Sequence, residues 1–137
     1  PLQQYEINLR YFITVLKEGG VSVLLMTPNP LRWTSQLKEL YDNAPYDPEN
    51  PDGMNHLLKL YTEIAWKVAR TEKVMLVDVA KAFENYAQDG RRSMDDLLLD
   101  GMHPNQQGHR LIAGLLSARI VELSRQEPLG KTTAGKH

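Results

Sequence analysis

The residues best suited to chemistry lie in one run, Leu97-Leu98-Leu99-Asp100-Gly101-Met102-His103-Pro104-Asn105-Gln106-Gln107-Gly108-His109. Asp100 and His103 stand three residues apart just before a predicted helix, so both side chains can point to the same side of a turn. A carboxylate that accepts the proton of imidazole Nδ1 fixes the tautomer. It leaves Nε2 free as a general base and stabilises the imidazolium that forms. The bland alternative is a local cap beside a surface histidine. Its place after the second of two apolar strands favours chemistry, because sites in α/β folds form at the carboxyl ends of parallel strands. Pro104 suits the first turn of a helix, where its missing N–H has no partner to lose.

The elements that must position this pair can be read from apolar spacing. Tyr5, Leu9, Phe12, Ile13 and Leu16 recur at threes and fours on one helical face, and Gly19-Gly20 ends that helix. The run 21–26 is apolar at nearly every position, which suits a strand covered on both faces of a parallel sheet. Residues 31–55 form a long, proline-rich connection with room for a short helix over 31–41. Such an excursion serves as a binding loop or lid, or as plain surface.

A second helix is predicted over about 54–70, with Leu57, Leu58, Tyr61, Ile64, Ala65 and Val68 inward and Trp66 packed beside them. A second strand follows at 74–79, then a short helix over 81–87 and an irregular or briefly helical stretch at 93–99. Pro104 or Asn105 opens a last helix to about 124, with Ile112, Leu115, Leu116, Ile120 and Leu123 facing inward. Residues 127–137 are polar and expected to be a flexible tail. Two parallel strands are too few for a three-layer α/β domain, because both sheet edges would stay open. The absent strands should come from an upstream segment, a second chain or an exchanged copy.

Composition narrows the function. The 137 residues are 42% hydrophobic and 24% charged, with a formal charge of −1, so no nucleic-acid partner is expected. The chain has no cysteine, which removes disulfides and thiolate chemistry. Its apolar runs are too short to span a bilayer. No signal peptide is visible, and the start at Pro1 leaves a secreted or periplasmic location open for a protein expected to be soluble. Asp100, His103 and His109 do not have a familiar zinc spacing. Neither metal nor cofactor is expected, and His109 reads as a structural helix residue.

The run Asp-Gly-Met-His-Pro-Asn, with Gly108 and His109 behind it, resembles the last conserved block of SGNH (GDSL-like) hydrolases, which carries the triad aspartate and histidine. Asp100 and His103 match those two positions. The strand ending in Met26-Thr27-Pro28 and residues 74–78 resemble, in order and spacing, two consecutive sheet strands of that superfamily, and the resemblance covers roughly residues 4–124. It implies part of a flavodoxin-like three-layer α/β/α domain with a parallel sheet whose N-terminal strands are missing. Residues 1–126 would be its C-terminal half.

The resemblance further implies a serine esterase or acylhydrolase acting on a small-molecule or carbohydrate ester. Its Gly-Asp-Ser-like block and its oxyanion-hole blocks are not found here. Ser22, Ser35, Ser93, Ser117 and Ser124 all lack such a setting. Nucleophile and oxyanion hole are therefore expected upstream, and this chain alone is expected to be inactive. Asn29, Arg32, Trp33 and His56 are candidates for the substrate rim. Two other readings compete: an inactive binding or scaffold module retaining the fold, and, more weakly, a signalling domain phosphorylated at Asp78.

Overall fold

The computed structural model describes residues 1–126. The predicted tail, 127–137, lies outside the described residues. Helix α1 spans Leu2–Glu18. Its last turn is closed by Gly20 at φ 73°, with the N–H groups of Gly20 and Val21 donating to Lys17 and Leu16. That closure uses Val21 and delays the strand, so β1 is only Leu24–Met26 rather than the whole 21–26 run. The short helix α2 covers Ser35–Tyr41, capped by Thr34. A 3-10 turn over Gly53–Asn55 leads into α3, His56–Thr71. Strand β2 is Met75–Val77, α4 is Val79–Ala87, a second 3-10 turn covers Met94–Leu97, and α5 is Gln106–Gln126.

The strands pair in parallel, Leu24 with Met75 through Met26 with Val77. Helix α1 packs on α3, which lies against both strands, while α5 packs on β2 and α4. The result is a small parallel sheet flanked by helices, part of a three-layer α/β/α architecture. Beneath α4 and α5 sits the main core, Val77, Val79, Phe83, Leu97 and Leu98, supported by Ile112, Leu115 and Leu116. Burying each such side chain contributes about 1.5–3 kcal/mol. No described helix is long and apolar enough to cross a membrane.

The strand ends are tied by Thr27, which is buried. Its N–H donates to Val77, its hydroxyl donates to Asp78 at 3.2 Å, and that hydroxyl accepts from Ala80 N–H at 3.0 Å. Asp78 in turn caps α4 by accepting from Lys81 N–H, which starts that helix two residues earlier than expected. The long connection is pinned by Asn55, whose carboxamide exchanges two hydrogen bonds with the backbone of Leu31 at 2.7 and 2.8 Å.

Several expected core positions are exposed. Phe12 is 60% exposed, and Leu16, Leu57, Trp66 and Ile120 are also open. Leu24 and Leu25 are half-buried and Met26 is exposed, so β1 is not covered on both faces. The cause is common to β1 and α1: among the described residues β1 pairs only with β2, and α1 packs only through the side of its apolar face that carries Ile13.

Candidate active site

The segment 97–109 folds on itself before α5 begins. Leu98 and Pro104 form an isolated antiparallel bridge; Leu99 N–H donates to His103 C=O and Asn105 N–H to Leu97 C=O. Asp100 to Met102 form the tip of this loop. Asp100 Oδ1 accepts from the backbone N–H groups of Met102 at 2.9 Å and His103 at 2.8 Å. The other oxygen, Oδ2, lies 2.7 Å from His103 Nδ1. One carboxylate thus holds both the backbone and the ring of the histidine.

These contacts keep the Asp100 carboxyl well below the usual carboxylate range. The His103 backbone N–H contributes most, then its ring, then the Met102 N–H. The His103 side chain is 73% exposed, so Nε2 is open to an approaching hydroxyl.

Two glycines permit this turn. Gly101 has φ 86°, and a Cβ there would sit 2.3 Å from Arg32 C=O. Gly108 lies so close to the loop that a Cβ would meet Leu97 C=O at 2.3 Å. Asn105 joins loop and helix. Its Oδ1 accepts from Gln107 and Gly108 N–H as a helix cap, and its Nδ2 donates to the carbonyls of Asp96 and Leu98. Sequence reasoning placed a helix start at Pro104 or Asn105 but missed this double role. The signal was an Asn followed three residues later by Gly.

The four rim candidates separate. Asn29 Nδ2 donates to Met102 C=O at 3.0 Å, and Arg32 N–H donates to Gly101 C=O at 2.8 Å, so the segment after β1 braces the 100–103 turn. The Arg32 side chain runs elsewhere, donating to Pro51 C=O, with its buried Nε 3.5 Å from Asp95 Oδ1 and outside hydrogen-bonding geometry. Trp33 donates its indole N–H to Asp47 and Asn50 carbonyls. His56 lines a separate hollow with Pro45 and Asp47. Asn29 and the Arg32 backbone thus meet the 100–103 turn, while Trp33 and His56 make their contacts in the 45–60 region.

His109 is exposed on the first turn of α5, and no described cluster of three His, Cys, Asp or Glu residues could hold a metal ion. Asp78 is engaged as a helix cap by Lys81 N–H and by the Thr27 hydroxyl.

With this geometry in place, comparison with known proteins assigns the class. The family model for the GDSL-like Lipase/Acylhydrolase family matches residues 1–111, and the chain belongs to that family. Among solved structures it is similar to LAE5, an alpha/beta hydrolase enzyme from the metagenome of Lake Arreo, Spain. Identity there is 26% and TM-score 0.63, over 86% of this chain and 46% of that one. It is also similar to the acetyl xylan esterase AlAXEase, at 22% identity and TM-score 0.66, covering 88% of this chain and 56% of that one. A third is the acetylxylan esterase Axe2 from Geobacillus stearothermophilus, at 23% and 0.64, over 88% and 47%. The chain spans about half the length of these structures. A search of curated proteins found no match.

Proposed function

We propose that this chain carries the acid–base pair of a serine esterase and forms the C-terminal half, residues 1–126, of its hydrolase domain. The observation that carries the reading is the 2.7 Å contact between His103 Nδ1 and a carboxylate already clamped by two backbone N–H groups. Such a carboxylate is acceptor only, so Nδ1 must hold the proton and Nε2 must be the basic nitrogen. His103 Nε2 takes the proton of a serine hydroxyl as its oxygen attacks the ester carbonyl. His103 then gives that proton to the departing alcohol and removes one from the water that releases the acid.

The serine and the oxyanion donors are contributed by upstream sequence, whose strands pair with the open edge of β1. Helix α1 and β1 support this arrangement through their uncovered apolar residues next to that edge. The 137-residue chain alone turns over no ester, since one oxyanion donor by itself is worth about 3 kcal/mol of transition-state stabilisation. The substrate is a small carboxylic ester. Acetyl groups on a carbohydrate are the leading class, by analogy with the acetyl xylan esterases that share the fold.

The test is hydrolysis of 4-nitrophenyl acetate by the whole protein. His103→Ala is expected to lower kcat/KM by at least about 10³-fold with little change in the urea midpoint, because the ring is largely exposed and its one hydrogen bond is to the exposed Asp100. Turnover at the wild-type rate by that variant would end the assignment.

A further inference from the structure

On α3, Leu58, Lys59, Glu63 and Trp66 recur at helical spacing and line a pocket of about 340 Å³, to which Lys81 and Glu84 of α4 also contribute. That volume is at the lower end of the range for small-ligand sites. The apolar wall is Pro28, Leu58, Met94 and the indole of Trp66, which is 43% exposed. Sequence periodicity set Trp66 beside the core. The structure sets it on the wall of a cavity.

The charges of this pocket are paired with one exception. Lys59 pairs with Asp52, Lys81 with Glu84 at 3.1 Å, and Arg32 with Asp95 at 3.5 Å. Glu63 has no ion pair or hydrogen bond among the described residues. On a helix its natural counter-ions are the lysines four residues away on either side. Both are drawn off, Lys59 to Asp52 and Lys67 to Glu6 at 2.9 Å. One uncompensated negative charge is thus left in the pocket, a helical turn from an aromatic face. An anion would have to break a lysine pair to find a counter-charge, and a neutral ligand leaves the Glu63 charge as it stands. A cation gains the carboxylate and breaks nothing.

The lining also selects the kind of cation. No described group of three His, Cys, Asp or Glu residues could hold a metal ion. A primary ammonium carries three N–H donors, and those that Glu63 does not accept would be stripped of water against the apolar wall. A quaternary ammonium has no N–H to satisfy. Its methyl shell packs on apolar surface while its charge is drawn to the indole face. We propose that this pocket binds a quaternary ammonium group, with Trp66 supplying a cation–π contact and Glu63 the counter-charge.

The experiment titrates the whole protein with choline, its neutral carbon isostere 3,3-dimethylbutan-1-ol, and ethanolamine. Binding is read by saturation transfer to the ligand protons and by the indole N–H resonance of Trp66, assigned by its loss in Trp66→Leu. Choline is expected to bind saturably and to shift that resonance, with the isostere and ethanolamine at least about tenfold weaker. Trp66→Leu keeps apolar bulk but removes the π face, and should weaken choline binding about fivefold. Glu63→Gln should weaken it about threefold. The same variant should leave the isostere's affinity unchanged, which separates a lost counter-charge from a lost fold. Absence of a saturable shift with choline, equal affinity for the isostere or for ethanolamine, or choline affinity unchanged in both variants would overturn the proposal. No ester is present in the titration, so its outcome is independent of the esterase reading.

Discussion

The loop at 97–109 and the outer side of α1 and β1 are built on opposite terms. In the loop, backbone and side chains satisfy one another locally: Asp100 accepts three hydrogen bonds, Asn105 makes four, and every partner lies within nine residues. Around α1 and β1 the apolar residues are in place but uncovered, with Phe12 60% and Val21 50% exposed and, among the described residues, β1 paired on one edge. The Asp100–His103 pairing is therefore set within a short segment, while the outer side of α1 and β1 still needs long-range partners. Polar turns close over a few residues. Sheets and helix layers close over a whole domain.

The strongest way to break that contrast is to disturb the turn's electrostatics without its shape. Asp100→Asn can still accept both backbone N–H groups, but its amide then faces Nδ1 and drives the proton to Nε2. In the whole protein kcat should fall about 10³–10⁴-fold, with the urea midpoint changed far less. A pH profile sharpens the point. The Asp100 pKa is depressed on folding, so its support for the turn is present above the ordinary carboxylate pKa and is lost only as pH falls through its lower folded value. Across the usual acid limb Asp100 stays ionised. No protonation of Asp100 should therefore contribute to that limb, and one that does would show that the carboxylate is not clamped as described.

The opposite region is tested by Phe12→Ala. Phe12 and Leu16 share an apolar helical face with Ile13, on the part of it that no described residue buries. If upstream strands complete the sheet, Phe12 is core in the whole protein and its truncation should cost about 3–5 kcal/mol by urea denaturation. A change within about 0.5 kcal/mol would mark it as a surface residue and remove the sheet-completion proposal.

Much of this contrast was legible in the sequence, for stated reasons. The order of helices and strands followed from apolar spacing, and the Asp100–His103 pairing from a three-residue separation at a helix start. The length of β1 was not legible, because the helix-terminating hydrogen bonds of Gly20 and Val21 compete with strand pairing and leave no mark in hydropathy. Phe12, Leu57 and Ile120 satisfied the helical period yet lie exposed, since periodicity says which face is apolar and not what covers it. Asn29 was picked out as a rim residue. Its bond to Met102 C=O spans 73 residues, and no local pattern encodes such a contact.

The smallest effect separates the two jobs of Asn105. As a cap alone, Asn and Asp are nearly equivalent, and removal of either costs about 1 kcal/mol. Asn105 also donates from Nδ2 to the carbonyls of Asp96 and Leu98, at 2.9 and 3.2 Å. Asn105→Ala should therefore cost about 2 kcal/mol, the cap plus the two carbonyls left without a donor. Asn105→Asp keeps the cap but turns a carboxylate oxygen toward those carbonyls, and it should be no more stable than the alanine variant. If the aspartate variant instead unfolds at the wild-type urea concentration, the loop is held by its helix cap alone. The self-sufficiency ascribed to 97–109 would then shrink to the Asp100 clamp.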